Sequence, residues 1–271
     1  MTLPAYEVFA IKYAMRDARR PVHFLGGDPH DSPMPMDYFV WLIRNDQCTY
    51  VLDMGFTAEV AAQRKRTMLR RPAEGLAKLG VDASSVKDVI ISHMHYDHVG
   101  TFGDFASARF HLQDDEMAFV TGRHMCHGQL RHSFEVEDVV GMVRMVYDGR
   151  MQFHDGDDEL APGITIHRIG GHTAGLQSVR VHTKRGWIVL ASDASHYYEH
   201  FEQGRVFPTT FHIGQTLEGY AKLQRLAESP QHIVPGHDPL VMQRYPAVSR
   251  DLEGIAVRLD VMPQEKPAEL A

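Results

Sequence analysis

The chain has 271 residues, 44% of them apolar and 23% charged, with a formal net charge of −7 at neutral pH. That length holds one large domain with a substantial core, or two small ones, and the composition is that of an ordinary globular protein. The acidic balance argues against a nucleic-acid partner, since phosphate binding rests on clustered Lys and Arg, while two cysteines, Cys48 and Cys126, give no disulfide framework and fit a reducing cytoplasm.

The first twenty residues interrupt their apolar positions with Glu7, Lys12 and Arg16, so no signal-peptide core is expected there. Apolar runs such as Tyr38 to Ile43 fall far short of a membrane span, and a cytoplasmic protein with no membrane partner is expected. "YFVWLIR" and "CTYVLDMG", separated by Asn45-Asp46-Gln47, predict a β-hairpin. Ala58 to Arg71 reads as a helix stopped by Pro72, and "PAEGLAKLG" as a second helix closed by Gly80. The basic run Arg64, Lys65, Arg66, Arg70 and Arg71 reads as a solvated face of the first helix.

Val86 to Ser92 predicts a buried strand. "ARFHL" is another, followed by a helix over "DDEMAFV" with Asp114 as N-cap. Residues 121–150, rich in His and Met, are less regular and read either as a helical cover over a site or as a surface insertion. From Met151 the pattern turns to β again. "ITIHRI" alternates, "LQSVRVHT" and "GWIVLAS" form a hairpin around Lys184-Arg185-Gly186, and "HIVPG" is a last strand. A helix over roughly Leu217 to Ser229 lies between, and a polar tail follows Met262. Without an internal repeat or a linker, residues 1–271 read as one domain. Two groups of strands, each followed by helices, predict an α/β fold of two packed sheets with helices outside.

The strand ends carry the chemistry. After Val86 to Ser92 comes His93-x-His95-x-Asp97-His98; even with 18 histidines in the chain, that pattern is expected by chance only about 0.01 times. After "ITIHRI" comes His172 in "GGHTAG", after "GWIVLAS" comes Asp193, and after "HIVPG" comes His237. Loops on a rigid scaffold are common mounts for catalytic groups. Side chains two apart in an extended segment point the same way, so His93 and His95 can grip one ion. Asp97 and His98 suit a second ion nearby. Ligation by nitrogen and oxygen without thiolate favours Zn, Mn or Fe(II). Gly170, Gly171 and Gly236 allow tight turns beside the site.

This arrangement resembles the dinuclear metallo-β-lactamase superfamily, from about residue 38 to residue 240. The resemblance implies an αβ/βα sandwich of two mixed sheets with the metals between the sheet edges. It also implies that Asp53 in "VLDMG" supports the site loops structurally. Within the superfamily the chain is similar to N-acyl-homoserine lactonases and related lactone hydrolases. That likeness implies one metal held by His93, His95 and His172, a second held by Asp97, His98 and His237, and Asp193 bridging them. Two divalent ions per chain are therefore expected, Zn first, with Mn or Fe as alternatives.

The expected function is a metal-dependent hydrolase opening a small lactone or related cyclic ester by attack of a metal-bound hydroxide, with an N-acyl-homoserine lactone as one candidate. Cyclic amides, thioesters, other small esters and non-haem iron redox chemistry are the alternatives. Asp97 is the expected proton carrier. Those lactonases usually carry a tyrosine three residues after the bridging Asp; here His196 stands there, so His196 and Tyr197 are nominated as catalytic, and both with Tyr198 as substrate contacts. A small-molecule substrate is the expected partner, with a homodimer an open option. His111, His124, His127, His132, His154, His167, His182, His200, His212 and His232 read as surface or structurally satisfied residues. Met142, Met145 and Met151 read as core or cover fillers.

Overall fold

The structure, a computed structural model, describes residues 3–264, so most of the tail expected after Met262 lies outside the described residues. The first half supplies strands β1 (Glu7–Arg16), β2 (Met36–Arg44), β3 (Thr49–Leu52), β4 (Thr67–Met68), β5 (Asp88–Ile90), β6 (Arg109–Gln113) and β7 (Met151–His154). The second half supplies β8 (Asp158–Ala161), β9 (Ile164–Arg168), β10 (Gln177–Thr183), β11 (Gly186–Ser192), β12 (Ile233–Pro235) and β13 (Ala256–Arg258). One sheet runs β13-β1-β2-β3-β5-β6-β7, with β4 on β1, and the other runs β12-β11-β10-β9-β8. This is the αβ/βα sandwich of two mixed sheets.

Strand β2 shows why the sheets stack. Its side chains alternate between the two faces. Phe39, Trp41 and Ile43 enter a core shared with Val179, Val181, Ile188 and Leu190 of the second sheet. Tyr38, Val40 and Leu42 enter a core under Leu76, Phe119, Val120 and Met142 of the flanking helices. Both faces of β2 are buried, and each large side chain withdrawn from water contributes about 1.5–3 kcal/mol.

The parallel strands decide where the site lies. β3, β5, β6 and β7 run parallel in the first sheet, and β11 and β12 run parallel in the second. β9 pairs antiparallel with β10, which pairs antiparallel with β11, so β9 points the same way as β11. The loops after β3, β5, β9, β11 and β12 hold Asp53, His93 to His98, His172, Asp193 and His237. The sheets are tied beside those loops by the Gln177 amide N–H, which donates to the Ser92 carbonyl at 2.9 Å.

Several elements differ from expectation. The helix expected over Ala58 to Arg71 ends at Gln63; Lys65 takes φ 54° and the chain turns into β4, which pairs with β1. That pairing pulls the basic run off any helix face. The later helix is Ile213–Leu226, begun by the His212 ring accepting from Gln215 N–H at 3.1 Å. Gln113, not Asp114, occupies the N-cap of Asp114–Val120. β1 and β13 have no counterpart in the sequence reading. In β1 both faces are apolar, which hides the alternation that marks a half-exposed strand. Residues 121–150 fold mainly as the helix Val136–Tyr147, preceded by short turns at Arg123–Cys126 and Gly128–Arg131. Among the described residues no helix is long and apolar enough to cross a membrane.

Candidate metal centre

His93, His95, His172 and Asp193 each offer a ligand atom within 4.8 Å of the others, all four residues being buried. His93 Nε2, His95 Nδ1 and His172 Nε2 form a triangle with sides of 3.0, 3.0 and 3.1 Å. A neutral imidazole has one N–H, so three ring nitrogens cannot satisfy one another around such a triangle. A tetrahedral Zn shell with bonds of 2.0–2.1 Å places its nitrogens about 3.3 Å apart, close to what is seen. Burial and the neighbouring imidazoles hold the pKa values of His93 and His95 well below the ordinary histidine range, which keeps their lone pairs free.

Asp97, His98 and His237 form a second buried group. Asp193 Oδ1 lies 3.0 Å from His237 Nε2 and 3.5 Å from His98 Nε2. Yet Asp193 Oδ1 and His98 Nε2 are buried without a hydrogen bond. Orphaned polar atoms facing each other in a dry interior are costly unless a cation sits between them. Burial would raise the Asp193 carboxyl, but His237, His196 and His98 hold it well below the usual range. The donors fit divalent metal, and Asp193, a member of the first group, also forms a third buried group with His196 and His237, which links it to the second.

The outer ring nitrogens are fixed in turn, which sets tautomer and aim. His98 Nδ1 lies 2.8 Å from Asp53 Oδ2, and His237 Nδ1 lies 2.8 Å from the Asp37 carbonyl. His93 Nδ1 lies 3.0 Å from Ser92 Oγ, and His172 Nδ1 meets the Thr209 carbonyl. Asp53 also accepts from Ser92 N–H at 2.7 Å and Ser92 Oγ at 2.8 Å. Asp53 and Ser192 are non-glycine residues at φ 63° and 47°. Such backbone costs on the order of 1–3 kcal/mol and tends to cluster at functional sites. At Gly236 an added Cβ would sit 2.8 Å from Asp193 Oδ1, so glycine leaves room for the shared carboxylate.

Glu116 is a residue that sequence reasoning missed. It is fully buried and accepts from Met94 N–H at 2.9 Å, Thr173 Oγ at 2.6 Å and Gly175 N–H at 3.0 Å. Met94 lies between two ligands and Thr173 follows a third, so one carboxylate ties two ligand loops together. Glu116, Phe119 and Val120 are the buried residues of their helix. That i, i+3, i+4 stripe was the available signal.

A cleft of about 90 Å³ opens onto the cluster, bordered by Asp97, His196, Tyr38, Ser133, Arg16 and Arg66. His196 reaches it with its ring stacked on Phe207 at 3.8 Å, but its Nε2 lies 3.0 Å from Asp193 Oδ2. Burial lowers the His196 pKa to about 3, so the ring is neutral. Tyr197 and Tyr198 stand elsewhere than expected. The Tyr197 hydroxyl donates to the Pro35 carbonyl at 3.1 Å and lies 3.2 Å from His23 Nε2, while Arg244 packs 3.8 Å over the Tyr198 ring. Both border a separate cavity of about 440 Å³. Local packing turns His196 toward the metal cleft and the two tyrosines after it toward the separate cavity.

The basic run is also corrected. Arg64 pairs with Glu135 at 2.7 Å and packs 4.0 Å over Tyr96, and Arg66 Nε donates to the Tyr96 hydroxyl at 3.0 Å. Both border the metal cleft, as does His132. Beyond it lies a lobe of about 270 Å³ walled by Phe119, Leu130, Phe134 and Phe211 together with Gln129 and Thr210, meeting the cleft at His95, His132, His172 and Thr209. Part of the 121–150 segment thus faces the centre.

A family model described as the metallo-beta-lactamase superfamily matches residues 34–237, a span containing every ligand candidate. The chain belongs to that superfamily. It is a metal-dependent hydrolase of this fold. It is 29% identical over 236 residues to the N-acyl homoserine lactonase AttM of Azorhizobium caulinodans, covering 79% of this chain and 85% of that one. Against a Bacillus sp. N-acyl homoserine lactonase, 28% identical, the match covers 60% of each chain. Among solved structures, an N-acyl homoserine lactone hydrolase carrying its product N-hexanoyl-L-homoserine at the catalytic metal centre superposes with a TM-score of 0.72 at 20% identity, over 90% of this chain and 96% of that one. AidC, a dizinc quorum-quenching lactonase, superposes at 0.68 with 15% identity, over 88% and 90%. At such identities these superpositions speak for the fold.

Proposed function

We propose that this hydrolase binds two divalent ions, zinc by preference, and opens a small lactone or related cyclic ester. The observation that carries the reading is the position of the Asp193 carboxylate: it belongs to the group with His93, His95 and His172, and its Oδ1 lies 3.0 Å from His237 Nε2 and 3.5 Å from His98 Nε2 of the second group, with that oxygen and the facing His98 nitrogen left without hydrogen bonds. His93, His95 and His172 would hold one ion and Asp97, His98 and His237 the other. Such a pair brings the pKa of water to near 7 and polarises a carbonyl oxygen. The match to lactonase AttM over most of both chains supports an ester ring as the bond attacked.

The chain's own residues supply orientation and proton transfer. Asp97 Oδ2 stands 3.7 Å from Nε2 of both His98 and His237, at the edge of the cleft. It is placed to take the proton of the attacking water at Oδ2 and return it to the ring oxygen as the C–O bond breaks. Positioned proton transfer of this kind contributes about 10²–10⁴-fold. Neutral His196 donates to Asp193 Oδ2 and so fixes the shared carboxylate. Residues 121–150 form part of the wall that shields the site.

The test is reconstitution. Metal-stripped protein loaded with zinc should bind close to two ions per chain by elemental analysis and hydrolyse γ-lactones in a panel with lactams, thioesters and phosphodiesters. Saturation at one ion in folded protein refutes the dinuclear reading, and turnover confined to the other substrates refutes the lactone.

A further inference from the structure

Two guanidinium groups at the mouth of the metal cleft have no ion-pair partner, although Asp97 acts on Arg66 from across the cleft. Arg16 and Arg66 both border it. Among the described residues neither has an acidic group within ion-pair distance, whereas neighbouring Arg64 is neutralised by Glu135 at 2.7 Å. Arg66 is nevertheless held in place. Its Nε donates to the Tyr96 hydroxyl at 3.0 Å and its Nη1 to the Arg64 carbonyl at 2.6 Å, which leaves Nη2 without a partner. Arg16 has only a long contact, 4.0 Å, from Nη1 to the Met36 sulfur. Tyr38 borders the same cleft as both arginines.

In a chain of net charge −7, two unpaired arginines beside a site built for cations are unexpected unless something anionic enters. Divalent metal neutralises Asp97 and Asp193 and leaves the cleft positive, and such a cleft concentrates and steers an anion. The guanidinium fork matches a carboxylate with two parallel hydrogen bonds. A cleft of about 90 Å³ is too narrow to separate that carboxylate far from the bond attacked, while the adjoining lobe of about 270 Å³ offers room for the rest of the molecule.

We propose that Arg16 and Arg66 form a carboxylate subsite, so that the substrate is an anionic ester bearing a carboxylate a few atoms from the scissile carbonyl rather than a neutral lactone. The proposal rests on the hydrolase reading above and names its substrate class.

The test uses zinc-loaded enzyme and a matched pair, 5-oxotetrahydrofuran-2-carboxylate and its neutral carboxamide. A charge-assisted pair implies that the carboxylate has a kcat/KM at least about tenfold above the carboxamide, carried in KM. Arg16→Gln and Arg66→Gln should each shrink that ratio about tenfold or more, with Arg66→Lys in between because it keeps the charge and loses the fork. A wild-type ratio near one, or a ratio that neither variant moves, overturns the subsite and leaves the lactonase reading intact. If neither ester turns over, the lactone reading fails instead, and calorimetric titration with tetrahydrofuran-2-carboxylate decides the subsite. Affinity reduced in both Gln variants supports it. Equal affinity in wild type and in variants with unchanged thermal midpoints overturns it, because the anion then sits on metal alone.

Discussion

Replacing Glu116 with glutamine tests whether the loops that carry the ligands are braced from behind. The carboxylate has one oxygen on Met94 N–H and the other on Thr173 Oγ and Gly175 N–H. Glutamine has a single acceptor oxygen. Turned toward Thr173 and Gly175, it sets its NH2 against the Met94 N–H; turned the other way, it sets NH2 against the Gly175 N–H. Either way at least one buried donor is orphaned and the remaining bonds lose their charge assistance, each worth about 1.5–3 kcal/mol when present. Burial already raises the Glu116 pKa, so part of that loss is offset by relief of a desolvated charge. A net destabilisation of about 2–4 kcal/mol is expected, with zinc affinity falling about 10–100-fold as for other groups that orient ligands. Urea unfolding and zinc competition against a chromogenic chelator measure the two. Asp115→Asn is the control, since Asp115 lies in the same helical turn but pairs outward with Arg168. Wild-type zinc affinity and stability in Glu116→Gln would refute the bracing role.

Asp193→Ala should cost metal in both positions, whereas His237→Ala should cost mainly one, as read by elemental analysis of folded protein; full metal retention in Asp193→Ala contradicts the bridge. Asp97→Asn at matched metal occupancy should lower kcat about 10²–10⁴-fold and flatten the pH–rate profile, and a wild-type profile would leave Asp97 as a ligand only. Asp138 has a buried oxygen without a partner, and burial, with Glu135 and Glu137 adding to it, raises its pKa from 3.8 to about 6. Because the folded value lies above the unfolded one, its contribution is complete below pH 3.8 and is lost as pH rises toward about 6, which amounts to about 3 kcal/mol. Asp138→Asn should therefore leave stability at pH 4 nearly unchanged and raise it at pH 8 by about 2–3 kcal/mol. Urea midpoints that show the same difference at both pH values would count against this.

The candidate donor set was legible because its spacing is local where it needs to be. His93, His95, Asp97 and His98 fall within six residues, and His172, Asp193 and His237 each follow a strand whose β character is plain from its neighbours. What was illegible depends on contacts between distant segments. The basic run reads as a helix face until Lys65 takes a left-handed turn and β4 pairs with β1, which carries Arg66 to the cleft beside Arg16 of the partner strand. His196 and Tyr197 are adjacent on a loop, and periodicity assigns a side only within a regular element. Asp193 holds the first inward, and His23 with Pro35 holds the second outward.

The same division explains how substrate choice could vary while the metal chemistry stays fixed. The candidate ligands sit on loops clamped by buried groups such as Asp53, Ser92 and Glu116, where a change of one atom leaves a donor or acceptor orphaned in the interior. Arg16 and Arg66 are half-buried residues at the rim, and the side chain of each is tied by few bonds. Exchanging a rim arginine would disturb little of the core while removing one of the two charges proposed to hold an anion. On the proposed reading, specificity rests where the fold tolerates change, and the metal site rests where it does not.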